Sequence, residues 1–143
     1  MQAFTVATTR IEDDAALVSL SGEADLSAAP EFERELAKAV ELSPRLIVID
    51  LQQTTFIDST ALRVLIQARK QVEARGGRIC CVCPDRLTWK IFEITGLAEV
   101  FLRYASVSEA LRGERELYAR VADVGSDGAH ADRASQDGPA AAA

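Results

Sequence analysis

Residues 46–66 read LIVIDLQQTTFIDSTALRVLI, and the fold follows from how this stretch is read. Four aliphatics in a row, Leu46-Ile47-Val48-Ile49, precede Asp50 and Leu51, which predicts a central strand over 45–51 covered on at least one face. The polar stretch from Gln52 to Asp58 reads as a loop. After it, Ala61, Leu62, Leu65, Ile66 and Val72 recur at helical spacing until Gly76-Gly77 stops the pattern. Strand, loop and long helix in succession point to an α/β layer.

The flanking sequence extends this pattern in both directions. Phe4-Thr5-Val6-Ala7-Thr8 and Leu17-Val18-Ser19-Leu20 are rich in β-branched and large apolar residues and flank the acidic turn Glu12-Asp13-Asp14, which predicts a hairpin. Pro30 suits a first helical turn, and Phe32, Leu36, Ala39 and Val40 then mark one face of a helix ending before Pro44. A fourth strand is expected over 78–83. Leu87, Ile91 and Ile94 mark a short third helix closed by Gly96, and 100–104 makes an edge strand. Ser106 with Glu109 three residues on is a capping-box pattern, opening a helix with Val107, Ala110, Leu111, Leu117 and Tyr118 on its apolar face. The expected architecture is α/β, a mixed sheet of four to five strands with about four helices. The folded domain spans residues 1–121. Residues 122–143, rich in Gly, Ser, Asp and Ala, form a disordered tail too poor in large apolar groups to offset the entropy of ordering.

Composition excludes several functions. The chain has 143 residues, 48% of them hydrophobic, enough for one core. Its net charge of −6 leaves no basic cluster to displace counterions from nucleic acid. The apolar runs fall far short of the roughly 20 residues needed to insert in a bilayer, and the N-terminus has no signal-peptide layout. A cytoplasmic protein is expected. The three cysteines, Cys80, Cys81 and Cys83, suit a reducing compartment. On a strand Cys80 faces away from Cys81 and Cys83, so at best two thiolates converge where zinc wants four ligands, and the sole histidine, His130, lies in the tail. Inert buried thiols are expected, with no metal.

Asp58-Ser59-Thr60 sits where the loop turns into the long helix. Asp58 suits the N-cap, which puts Ser59 and Thr60 in the first turn, where free N–H groups and the helix dipole favour an added phosphate. The same residue types are ordinary caps, so local chemistry leaves both readings open. The order of motifs adds more. Leu20-Ser21-Gly22-Glu23-Ala24-Asp25, Ile47-Val48-Ile49-Asp50-Leu51, Phe56-Ile57-Asp58-Ser59-Thr60-Ala61-Leu62, Gly76-Gly77, Thr95-Gly96-Leu97 and Ser108-Glu109-Ala110-Leu111 succeed one another as in the STAS family. Over residues 4–118 the chain resembles the anti-sigma factor antagonists of that family.

This resemblance implies that Ser59 is a phosphoacceptor and that Glu23, Asp25, Ser27, Asp58, Thr60, Leu62 and Arg63 lie on the partner-facing surface. It implies partner switching. The unphosphorylated protein, monomeric when free, binds an anti-sigma factor with serine kinase activity, of the histidine-kinase-like ATPase type, and so releases a sigma factor. Phosphorylating Ser59 breaks the complex, and a phosphatase resets it. The ATP belongs to the partner, and the chain itself needs no cofactor. One departure is Ala61, where the family usually has glycine. Its methyl group stiffens the helix start or crowds an approaching kinase.

Two other readings compete. An enzyme could use Asp50 and Asp58 as a magnesium site or an acid and base, but no phosphate-cradling glycine loop or hydrolase elbow accompanies them, so no catalysis is expected. A STAS subunit of a lipid-transporting ATPase complex would dock without phosphorylation. Trp89 and Phe92 read as packing, Arg86 and Lys90 as solvated or facing an acidic partner, and Phe56 and Ile57 as core anchors for the loop before Ser59.

Overall fold

β1 (Thr5–Glu12) and β2 (Ala15–Ala24) pair as an antiparallel hairpin, from Thr5 opposite Ser21 to Glu12 opposite Ala15. The structure is a computed structural model and describes residues 3–12 and 14–126. After a short 3-10 turn (Leu26–Ala28) come α1 (Ala29–Glu41), β3 (Leu46–Ile57), α2 (Ser59–Ala74) and β4 (Arg78–Val82). The chain continues through α3 (Arg86–Ile94), a second 3-10 turn (Leu97–Glu99), β5 (Arg103–Tyr104) and α4 (Val107–Ser126). The strands lie side by side in chain order, β1 to β5, antiparallel in the hairpin and parallel thereafter. The mixed α/β sheet with its helices is the architecture expected from the sequence.

The strand alternation sorts residues onto two faces. On one, Val18, Leu20, Ile47, Ile49, Leu51 and Cys81 meet α1, α2 and α3 through Phe32, Leu36, Leu65 and Phe92 in the main core. On the other, Leu46, Val48, Cys80 and Val82 form a smaller core with Ala110 of α4. The helical spacing of α1 is fully realised, because Phe32, Leu36, Ala39 and Val40 are its buried residues. α2 stops where Gly76 adopts φ +84°, as the glycine pair predicts.

Three features differ from expectation. β3 does not end at Leu51 but continues to Ile57. Its first half pairs with both β2 and β4, whereas beyond Asp50 only β2 accompanies it. With one neighbour missing, Gln52, Gln53, Thr55 and Phe56 stay exposed, so this half carries no apolar run to betray a strand. Phe56 is therefore no core anchor, although Ile57 is 5% exposed and is one. In α3, Thr88, Trp89 and Phe92 turn inward, while Leu87 and Ile94 face solvent. Aromatic bulk decides that choice: Trp89 stacks on Phe92 at 4.2 Å, and Phe92 meets Phe101 edge-on at 6.1 Å. The terminal helix runs through Ser126, past the expected boundary at 121. The rest of the expected tail lies outside the described residues. No helix among the described residues is long and apolar enough to cross a membrane.

Candidate functional site

The site forms at the carboxyl ends of β2 and β3, where each strand runs into an aspartate that caps the next helical segment. Asp58 has extended backbone, and its carboxylate accepts hydrogen bonds from the N–H groups of Thr60 (3.0 Å) and Ala61 (3.2 Å). Asp25 likewise accepts from the Ser27 N–H (3.0 Å) and hydroxyl (2.7 Å). The Ser27 hydroxyl holds the Asp25 carboxyl below its ordinary value. The two caps are locked together because the Asp58 N–H donates to the Ala24 carbonyl at 3.2 Å. Gly22 makes this possible. Buried and at φ +89°, it sits where the β2–β3 register shifts, a conformation that only glycine adopts without strain.

This geometry places Ser59 first in the 16-residue α2, with its side chain exposed. The free N–H groups expected to hold a phosphate are largely spoken for, since the Asp58 carboxylate already engages those of Thr60 and Ala61. A phosphate on Ser59 would meet a carboxylate beside it and would be turned outward.

The other expected residues divide. Asp25, Asp58 and Thr60 surround Ser59 half-buried, and Ser27 and Arg63 are exposed. Glu23 lies on β2, half-buried and in register with Phe56. Leu62 is a correction: at 2% exposure it packs in the main core, where no partner reaches it. Ala61 is 1% exposed, so its methyl fills the core and crowds nothing outside. Two exposed apolar residues near the site were not expected, Leu26 at 70% and Phe56 at 49%. Neither stands out in sequence, because exposure of a lone apolar residue leaves no pattern.

The rival constellations do not assemble. Asp50 sits within β3, accepting from the Gln52 N–H at 3.0 Å, eight residues before Asp58. Along an extended strand that is roughly 26 Å, too far for an acid and base to share a substrate atom. Cys80 lies in the smaller core and Cys81 and Cys83 in the main one, as strand alternation predicts. All three thiols are free and buried, and burial raises each above the ordinary value, Cys83 to about 11. No cluster among the described residues could hold a metal ion, and His130 lies outside them.

The family model for the STAS domain matches residues 6–110. The chain belongs to the STAS domain family. Among curated relatives, this STAS domain is 27% identical over 100 residues to the anti-sigma-F factor antagonist RsfB of Mycobacterium tuberculosis, covering 70% of this chain and 81% of the relative. It is 30% identical over 90 residues to the putative anti-sigma factor antagonist BtrV of Bordetella bronchiseptica, covering 62% and 77%. Its fold matches the crystal structure of an anti-sigma factor antagonist from Mycobacterium paratuberculosis with a TM-score of 0.72, at 29% identity over 79% of this chain and 95% of the other.

Proposed function

We propose that this STAS domain is an anti-sigma factor antagonist that switches partners through Ser59. The observation that carries the reading is an exposed serine hydroxyl at the first position of a long helix, directly after the cap Asp58, whose N–H is bonded to the Ala24 carbonyl next to the cap Asp25. The likeness to antagonists of anti-sigma factors supports the partner class. The partner is an anti-sigma factor with serine kinase activity, of the histidine-kinase-like ATPase type, and the chain is its substrate rather than a catalyst. The exchange takes place in the cytoplasm, where sigma factors act.

The exposed residues Leu26, Ser27, Phe56 and Arg63, with the half-buried Asp25, receive the anti-sigma factor. Phosphorylation adds about −1.5 to −2 charge. With Asp58 occupying the helix N–H groups, that charge stays at the surface and repels the acidic or closely packed groups opposite. A differential affinity of a few kcal/mol is enough to empty the complex. A phosphatase restores the hydroxyl. Because the Ala61 methyl is buried, the departure from the usual glycine leaves kinase access to Ser59 unchanged.

Incubating the purified chain with lysate of its native host and ATP, then mapping phosphate by mass spectrometry, tests this reading. Phosphate on Ser59, absent from the Ser59→Ala variant, is the expected result. No phosphate, or phosphate elsewhere with Ser59 untouched, contradicts the switch and favours docking without phosphorylation, as in a transport complex.

A further inference from the structure

Helix α3 is apolar on two sides. Its inner side holds Thr88, Trp89 and Phe92 in the core. Its outer side carries Leu87, Ile91 and Ile94 at positions i, i+4 and i+7, a single stripe. Leu87 is 83% exposed and Ile94 69%, with Ile91 between them half-buried and packed in part against the main core. Single exposed leucines are ordinary, but a stripe is the mark of a surface that something covers.

The surroundings of the stripe state the charge of its occupant. A groove of about 470 Å³ beside it is lined by Leu87 and Trp89 with Arg86, Lys90 and Arg103 against Glu93, and the exposed helix cap Asp85 adjoins it beside Arg103. Arg103 is held in place, donating to the carbonyls of Cys83 (2.7 Å) and Pro84 (3.2 Å) with its guanidinium 5.5 Å from the Trp89 ring centre. With three cations against Asp85 and Glu93, this is a local excess of positive charge in a chain of net charge −6. β4 ends opposite Asp50 and leads into α3, while β3 runs on to Ile57 before α2 begins.

We propose that the outer face of α3 is a second docking surface, taking an amphipathic acidic segment of a protein partner. Apolar side chains of that segment cover Leu87, Ile91 and Ile94, and its carboxylates face Arg86, Lys90 and Arg103. The proposal rests on the chain being an interaction protein, and not on phosphorylation of Ser59. A second copy of this chain fits poorly. Packing about a two-fold axis through the middle of α3 would set Lys90 near its own copy.

The test places the photo-cross-linker p-benzoylphenylalanine at Ile94, at Arg63 or at the exposed control position Glu33, in the full chain expressed in its native host. Illumination at 94 is expected to trap a protein whose cross-linked peptide alternates apolar and acidic residues. Combining Arg86→Glu with Lys90→Glu should lower that yield about tenfold or more and leave the melting temperature unchanged. Trapping at 94 no greater than at 33, or trapping of a basic segment, lipid or this chain itself, overturns the proposal. Position 63 reports separately on the function: an anti-sigma factor trapped there, with nothing at 94, leaves the partner switch standing and removes only the second surface. An acidic segment at 94 with no anti-sigma factor at 63 does the reverse.

Discussion

Leu62 and Arg63 are neighbours that the helix sends in opposite directions, one into the core and one to solvent. Replacing Leu62 by alanine deletes buried methyl groups and is expected to cost about 2–5 kcal/mol in urea unfolding. Arg63→Ala should change stability by less than about 0.5 kcal/mol, so any loss of partner binding in that variant reports contact rather than folding. Comparable stability losses in the two would contradict the placement of α2. Asp58 carries two roles, which substitution separates. Asparagine caps a helix as well as aspartate does, whereas alanine loses about 0.5–2 kcal/mol. Asp58→Asn is thus expected to keep the melting temperature while removing the negative charge beside Ser59. A melting temperature as low as that of Asp58→Ala would show that the charge, not the cap, holds the helix start.

At the scale of elements, α4 is joined to β4 by an ion pair whose acid is buried and whose base is partly exposed. Glu114, 4% exposed, accepts from Arg78 and, at 3.0 Å, from the Tyr104 hydroxyl. Burial and the charge of Glu114 push the Tyr104 hydroxyl well above its ordinary value, so it stays protonated and donating. Arg78→Ala strands Glu114 without its cation and should cost about 3 kcal/mol or more. Glu114→Gln should cost less, because Arg78 is 39% exposed and turns to water. The reverse order in denaturant titrations would sink this reading. Gly113 completes the joint, since a Cβ there would meet the Tyr104 ring at 2.5 Å. Nothing in the sequence marks Glu114, which reads as one more surface charge until β4 brings Arg78 to it from 36 residues away. The same limit explains the missed half of β3 and the outer stripe of α3: a period shows that a helix has a face, not which of two apolar faces wins the core. Where one face alone is apolar, as in α1, sequence was enough, and the cap at Asp58 and first-turn position of Ser59 were legible for the same local reason.

For the whole molecule, the sheet divides labour between its two faces and one edge. The faces are cores, and they hide all three thiols. Because only the thiolate reacts and burial disfavours it, the native protein at neutral pH should resist alkylation, with all three thiols labelled in urea. Rapid labelling of the native form would contradict the packing of β4. The carboxyl edge is left for recognition, with Ser59 exposed directly after the cap Asp58. The most direct test of partner switching there is affinity capture from lysate of the native host, comparing immobilised wild-type protein with Ser59→Asp. Retention of a small histidine-kinase-like ATPase by the wild type and its loss from the Asp variant is the predicted result. Equal retention of that ATPase by both forms, or capture of transporter subunits by both, would contradict a switch at Ser59.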